Sequence, residues 1–329
     1  MKFNQVGISN HQKFGNYLIA VTSSIAVVFS SLINSAQAAE SADFLFIVDE
    51  SGSMSGEHTW LGDMIGSLDT ALEAKGLHSN RYGLIGFGGN FYPGAPFARV
   101  LDIDLLMPGI QQFGTASMFA NSTNQLRSSG GYEDGYQAID YTLKNYLLRE
   151  DAALNLVLIT DEDRDYTRLG YQDFDFSSIL SALQSKNALL NAVVNFGFQD
   201  GNGKNAIGVD SQGNAFLADG LGGFTRSTGG AATTGFVTTK TDYIDLAWAT
   251  GNSTIGGAAW NLNLLRAGGN SAISFTNTFV TIKAEEASQQ NTTKVPEPST
   301  GFGLLAFSAF SKMLLKCKNQ KRLNSVTTN

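Results

Sequence analysis

The sequence predicts an α/β chain built on a doubly wound, mostly parallel sheet with a Gly-rich insertion. Two observations predict it. Short, continuous apolar runs recur, as strands covered on both faces require: FLFIV (44–48), YGLIGF (82–87), LNLVLIT (154–160) and LNAVVNFGF (190–198). Between them apolar residues return at helical spacing, first Trp60, Met64, Leu68 and Leu72 ahead of Gly76, then Ile139, Leu143, Tyr146 and Leu147. Strand and helix in alternation give a sheet with helices on both faces, whose ligands sit at the carboxyl ends of the strands. With 43% hydrophobic residues and only 5 Pro beside 36 Gly, the chain has enough apolar surface for a packed core.

Taken in order, residues 1–39 come first. They carry Lys2 and Lys13, the apolar LIAVTSSIAVVFSSLI from Leu18 to Ile33, and the small residues of SAQAAE. This is the layout of a secretory signal, with Ala36 and Ala38 placing cleavage near Ala38 or Ala39. A domain over 40–286 follows. Within it FARVLDIDL (97–105) alternates and is expected as an antiparallel edge strand, and a third helix is expected near Phe176–Leu183. From about 200 to 241 the rhythm breaks. AIGVDSQGNAFL reads as a hairpin and DGLGGFTRSTGGAATTG as a loop, together an insertion on the loop side of the sheet. DYIDLAWATG resumes the fold, and SFTNTFVTIKAEEA is expected as its last amphipathic helix. Residues 287–300 form a linker ending in VPEPST, 301–315 an apolar helix, and 316–329 a basic tail.

Charge narrows the function. The net value is −7, but of the 22 Lys and Arg two precede residue 40 and five follow residue 300. The part between therefore holds 15 against all 29 acids, a net −14. Such a body repels nucleic-acid phosphates and attracts cations. The single cysteine, Cys317, lies in the basic tail, so the body has no disulfide, Cys-based zinc site or thiol nucleophile. No Gly-x-x-x-x-Gly-Lys phosphate loop occurs.

The carboxyl end resembles the PEP-CTERM sorting signal of Gram-negative bacteria: VPEPST, one apolar helix, then a basic stop including Lys316 to Arg322. That resemblance implies processing by an exosortase after transient anchoring by the helix, and a final place at the cell surface or in the extracellular matrix. The helix is shorter than the ~20 residues a bilayer needs, and Lys312 interrupts it.

The first strand runs into FIVDESGSMS, which sets Asp49, Ser51 and Ser53 at alternating positions in the turn before a helix. A carboxylate with alternating hydroxyls offers several oxygens to a hard divalent cation. This Asp-x-Ser-x-Ser pattern resembles the metal-ion-dependent adhesion site of von Willebrand factor A domains, a Rossmann-like fold. The resemblance implies two further loops at the same sheet edge. One is LVLITDEDRD, which delivers Asp161 where the family has its Thr-Asp pair. The other is SSGGYEDGYQAI, with Tyr132 where A domains carry Thr. YEDGYQAI is similar to the matching loop of integrin β-subunit inserted domains, where a glutamate is a ligand, which assigns Glu133, with Asp134 as its competitor. Glu57 falls where that integrin pattern has an acid for a second cation, and it also suits a first-turn acid. DGNGKN at Asp200 reads as a Gly/Asn turn, and His58, without a serine and acid arranged around it, as a surface histidine.

The expected metal ligands are thus Asp49, Ser51, Ser53, Glu133 and Asp161, and the expected ion Mg²⁺ or Mn²⁺. The implied function is adhesion rather than catalysis, the ion engaging an acidic group of a surface protein or exopolysaccharide-associated ligand. A matrix protein with a stabilising metal is the alternative, and a metal-dependent hydrolase ranks below both.

Overall fold

Ala42–Asp49, eight buried residues, form β1, an interior strand of the sheet. The run is continuously apolar because both faces are covered: Phe44, Phe46 and Val48 enter one core, Leu45 and Ile47 the other. The computed structural model describes residues 39–89, 97–165, 174–235, 238–252 and 254–290. The expected signal up to Ala38, VPEPST, the apolar helix and the basic tail lie outside the described residues. Among the described residues no helix is long and apolar enough to cross a membrane.

β1 pairs in parallel with β2 (Arg81–Phe87) on one side and β4 (Ala153–Thr160) on the other. β5 (Leu189–Val194) is parallel to β4, and β12 (Ala258–Asn261) is parallel to β5. β3 (Ala98–Val100) lies antiparallel on β2, a short form of the expected edge strand. This parallel core carries helices on both faces. Residues of α1 (Ser55–Ala74), α2 (Ala116–Ser122) and α7 (Gly269–Gln289) share the core of Phe44, while those of α3 (Gly135–Asn145), α4 (Phe176–Ser185) and α5 (Asp245–Ala249) share that of Leu45. The helical stripe of α1 ends where expected. Gly76 takes φ +86°, its N–H bonds to Glu73 O, and the Leu77 N–H reaches back to Leu72 O, closing the last turn.

The structure departs from the sequence reading in four places. LNAVVNFGF splits at Asn195 into β5 and β6 (Phe196–Gln199), and β6 leaves the main sheet for a three-stranded one with β7 (Asn205–Ala206) and β11 (Ala231–Gly235). The insertion does not sit on the loop side. β8 (Gly208–Asp210), β9 (Ala215–Ala218) and β10 (Phe224–Ser227) add antiparallel strands beyond β12, so the nine-stranded order is β10-β9-β8-β12-β5-β4-β1-β2-β3. Its hairpins close on aspartates whose Oδ1 accepts two backbone N–H groups: Asp200 from Asn202 and Lys204, Asp210 from Gln212 and Asn214, Asp219 from Leu221 and Gly223. That chemistry turns a loop-like stretch into strands. Finally, α3 stops at Asn145, which leaves Tyr146 buried but Leu147 exposed, and α7 runs three residues past the expected domain end.

Candidate metal centre

Asp49 ends β1 and Thr160 ends β4, and between these neighbours the winding reverses: the chain moves out to β2 on one side and returns through β4 on the other. Loops leaving such a pair diverge and open a crevice beyond the carboxyl ends.

Local hydrogen bonds shape the first loop. Oδ1 of Asp49 accepts the Ser51 N–H at 2.7 Å, and Oδ2 accepts the Thr160 hydroxyl at 2.9 Å. A single 3-10 turn, Gly52–Met54, then leads into α1. It leaves Ser51 Oγ 3.1 Å from Ser53 Oγ, and the Ser53 hydroxyl donates to Asp161 Oδ1 at 3.1 Å. Burial pushes the Asp49 carboxyl up to about 7; the bonds from Ser51 and Thr160 oppose the rise, and the Asp161 charge adds to it. Glu50 takes no part, because the Arg99 guanidinium holds both its oxygens. His58 is buried rather than on the surface. The first turn of α1 brings its Nε2 to 3.1 Å from the Asp49 carbonyl oxygen.

The second loop sends two adjacent acids in different directions. Asp134 caps α3 through the Tyr136 N–H at 3.0 Å and accepts a two-pronged pair from Arg164 at 2.8 and 3.1 Å. Glu133 is fully buried, and neither of its carboxylate oxygens has a hydrogen-bond partner. Burial, then the charges of Asp49, Glu162 and Asp165, push its carboxyl up to about 9. Its backbone is tied to the third loop, with its carbonyl accepting the Asp165 N–H at 2.7 Å. Carboxylate oxygens of Glu133, Glu162 and Asp165 lie within 4.8 Å of one another. At that spacing two unit charges repel by roughly 3–4 kcal/mol for an effective dielectric of about 20.

Gly88, just past β2, separates Glu133 from Asp49. Its φ is +73°, and a Cβ there would stand 3.1 Å from Glu133 Cγ and 3.4 Å from Asp49 Oδ1. A side chain at this position would crowd Glu133 and touch Asp49.

Sequence reasoning missed Arg266. α6 (Leu262–Arg266), which follows β12, delivers its guanidinium to the rim of the crevice. Nε donates to Glu57 Oε1 at 2.6 Å, Nη1 to Asp161 Oδ2 at 2.9 Å and Nη2 to the Ser53 carbonyl at 3.1 Å. The acid that fits a second-cation pattern, Glu57, therefore has a guanidinium as its counter-charge. Glu162 and Asp165 were also missed, although the density of acids in DEDRD was a usable signal.

The expected ligands fall into two groups. Asp49, Ser51, Ser53 and Asp161 are joined by hydrogen bonds, while Glu133 faces Asp49 across Gly88. The 3.1 Å oxygen spacings are slightly longer than the edge of an octahedron, about 2.8–3.0 Å for metal–oxygen distances of ~2.0–2.1 Å. An all-oxygen donor set beside an unsatisfied buried carboxylate fits a hard divalent cation.

No family model matches this chain, and no curated protein is similar to it. Among solved structures it is similar to the pilus adhesin SpaC from Lactobacillus rhamnosus GG, at 14% identity with a TM-score of 0.33. The likeness covers 49% of this chain and 25% of that one, so the chain spans about a quarter of that structure's length.

Proposed function

We propose that this chain is an exported bacterial surface protein whose α/β domain is of the von Willebrand factor A type, and that it binds an acidic group of a partner through Mg²⁺ or Mn²⁺ held by Asp49, Ser51, Ser53, Glu133 and Asp161. Glu133 carries the reading: a fully buried carboxylate with no hydrogen-bond partner, facing Asp49 at the switch point of a doubly wound sheet. Such a group is stable when a cation or proton accompanies it. Asp49 holds the first loop in shape, and Ser51 and Ser53 present neutral oxygens. Arg266 holds Asp161 at the edge of the site, which favours an outer role for that acid. Bound there, the ion supplies an electrophilic position for a carboxylate oxygen. Around it the acidic body would otherwise repel an acidic partner.

The terminal segments support the destination: a secretory signal, then VPEPST, an apolar helix and a basic stop for exosortase processing. Binding is proposed rather than catalysis, since the site offers neutral hydroxyls and carboxylates and its one histidine is spent on a backbone carbonyl. Calorimetric titration of the full chain tests the site. Mg²⁺ or Mn²⁺ binding is expected to be saturable and to weaken at least tenfold in Asp49→Ala and in Glu133→Ala. An unchanged affinity in Asp49→Ala sinks the assignment.

A further inference from the structure

We propose that a cavity between the insertion and α7 binds a neutral sugar ring. It goes beyond the function proposed above and shares no residue with the metal centre. Residues of β8, β9 and β10 and of the loop ahead of β12 wall it on one side, and α7 from Ile282 to Gln289 walls it on the other. That loop enters β12 at its amino end, whereas the metal crevice lies beyond the carboxyl ends of β1 and β4. The cavity measures about 170 Å³. One water needs ~10–15 Å³, so the space exceeds what one or two waters fill.

Glu286 is the observation that points to a ligand. It lines the cavity and is 8% exposed. Its Oε2 pairs with the fully buried Lys283 ammonium and lies 3.4 Å from Asn191 Nδ2, while its Oε1 is buried with no hydrogen-bond partner. The neighbouring donors are committed elsewhere: Lys283 also donates to Asn191 Oδ1, which accepts the Ala258 N–H at 3.0 Å and Trp260 Nε1 at 3.3 Å. A ligand hydroxyl supplies the donor that this oxygen lacks.

Charge selects the class of ligand. Glu286 is paired with Lys283 and Glu285 with Arg226, while Asp210 accepts the Gln212 and Asn214 N–H groups on Oδ1 and the Asn214 amide on Oδ2. A charged ligand therefore meets no unbalanced charge here, and a neutral one that both donates and accepts is favoured. Phe216, Ile255 and Ile282 supply apolar lining, and the exposed Gln289 amide a donor and an acceptor at the rim. A pyranose, with an apolar C–H face and a hydroxyl edge, matches that division.

Saturation-transfer difference NMR on the full-length chain in EDTA tests the cavity. The probes are D-glucose, D-galactose, D-mannose and N-acetyl-D-glucosamine, with D-glucuronate and D-glucosamine as charged comparisons. At least one neutral sugar is expected to give saturable transfer, weakened about tenfold in Glu286→Gln and about threefold in Gln289→Ala, and unchanged in Asp49→Ala. Gln289 is exposed, so Gln289→Ala alone decides where circular dichroism shows that Glu286→Gln does not fold. No transfer from any neutral probe, or transfer that neither cavity variant weakens, overturns the proposal. Tighter binding of a charged sugar than of every neutral one overturns the neutral class. Transfer lost in Asp49→Ala moves the sugar to the metal crevice, which overturns the cavity assignment and leaves the metal reading in place.

Discussion

Replacing Arg266 with Met tests whether the guanidinium is a working part of the crevice. Met keeps a flexible apolar stem and removes the charge and its donors, including the Nη2 contact to Met54 Sδ at 3.3 Å. What is lost is a bond of 2.6 Å to Glu57, one of 2.9 Å to Asp161 and one of 3.1 Å to the Ser53 carbonyl. Glu57 suffers most. Its side chain is 3% exposed and its Oε2 already lacks a partner, so the variant leaves a buried carboxylate with neither oxygen bonded. Removing one member of a buried pair costs about 3–5 kcal/mol; since the guanidinium is 29% exposed, water weakens the pair and about 2–4 kcal/mol is expected. For a domain of this size that lowers Tm by roughly 5–12 °C. Thermal melts in EDTA measure it, with Arg226→Met as control, because Arg226 pairs with Glu285 while 52% exposed and should cost under about 1 kcal/mol. Adding Glu57→Gln to Arg266→Met should recover much of the loss, since the stranded charge is then gone. An Arg266→Met deficit no larger than that of Arg226→Met, or no recovery in the double variant, would refute the account.

Two further outcomes follow from the same geometry. Asp49 and Glu133 are raised from ordinary values of 3.8 and 4.5 to about 7 and about 9, so their contribution is fully present below the ordinary values and is lost as pH rises through the raised ones. Without metal, Glu133 alone should cost on the order of 2–3 kcal/mol between pH 5 and pH 7, read as a Tm in EDTA that falls across this window, and a divalent cation should restore more stability at pH 8 than at pH 5; a cation increment independent of pH contradicts this. Gly88→Ala places a Cβ 3.1 Å from Glu133 Cγ at a φ of +73°, so it should cost roughly 1–3 kcal/mol and weaken Mn²⁺ binding; unchanged binding would mean that Glu133 and Asp49 do not share an ion.

The parallel core was legible because long buried strands write continuous apolar runs, and the first loop because its oxygens sit within five residues of one another. Legibility failed where structure depends on pairing rather than composition. β12 is four residues of AAWN, too short to register as a run, and it becomes a strand through partners on both sides, β5 in parallel and β8 antiparallel. Within the insertion the hairpin of AIGVDSQGNAFL and the turn at Asp200 were legible, but the strands Phe224–Ser227 and Ala231–Gly235 were hidden in a Gly- and Thr-rich stretch with no apolar alternation. Arg266 lies 209 positions from Glu57 and 105 from Asp161, so no spacing within the motif could announce it. The choice between Glu133 and Asp134 was open in sequence because both precede a helix; in the structure Arg164 and the helix N-terminus engage one and leave the other.

That division organises the electrostatics of the whole crevice. Guanidinium groups stay charged across the accessible pH range, so the acids they hold are permanently balanced: Glu50 by Arg99, Asp134 by Arg164, Glu57 and Asp161 by Arg266. Asp49 and Glu133 receive no such partner, and burial removes the water that would otherwise screen them. Among the buried acids of the crevice, theirs is the charge that the fold does not cancel. A mobile cation lowers the energy of these two groups far more than that of the paired acids around them. On the proposed reading, this is where an acidic chain would draw in and fix a divalent ion.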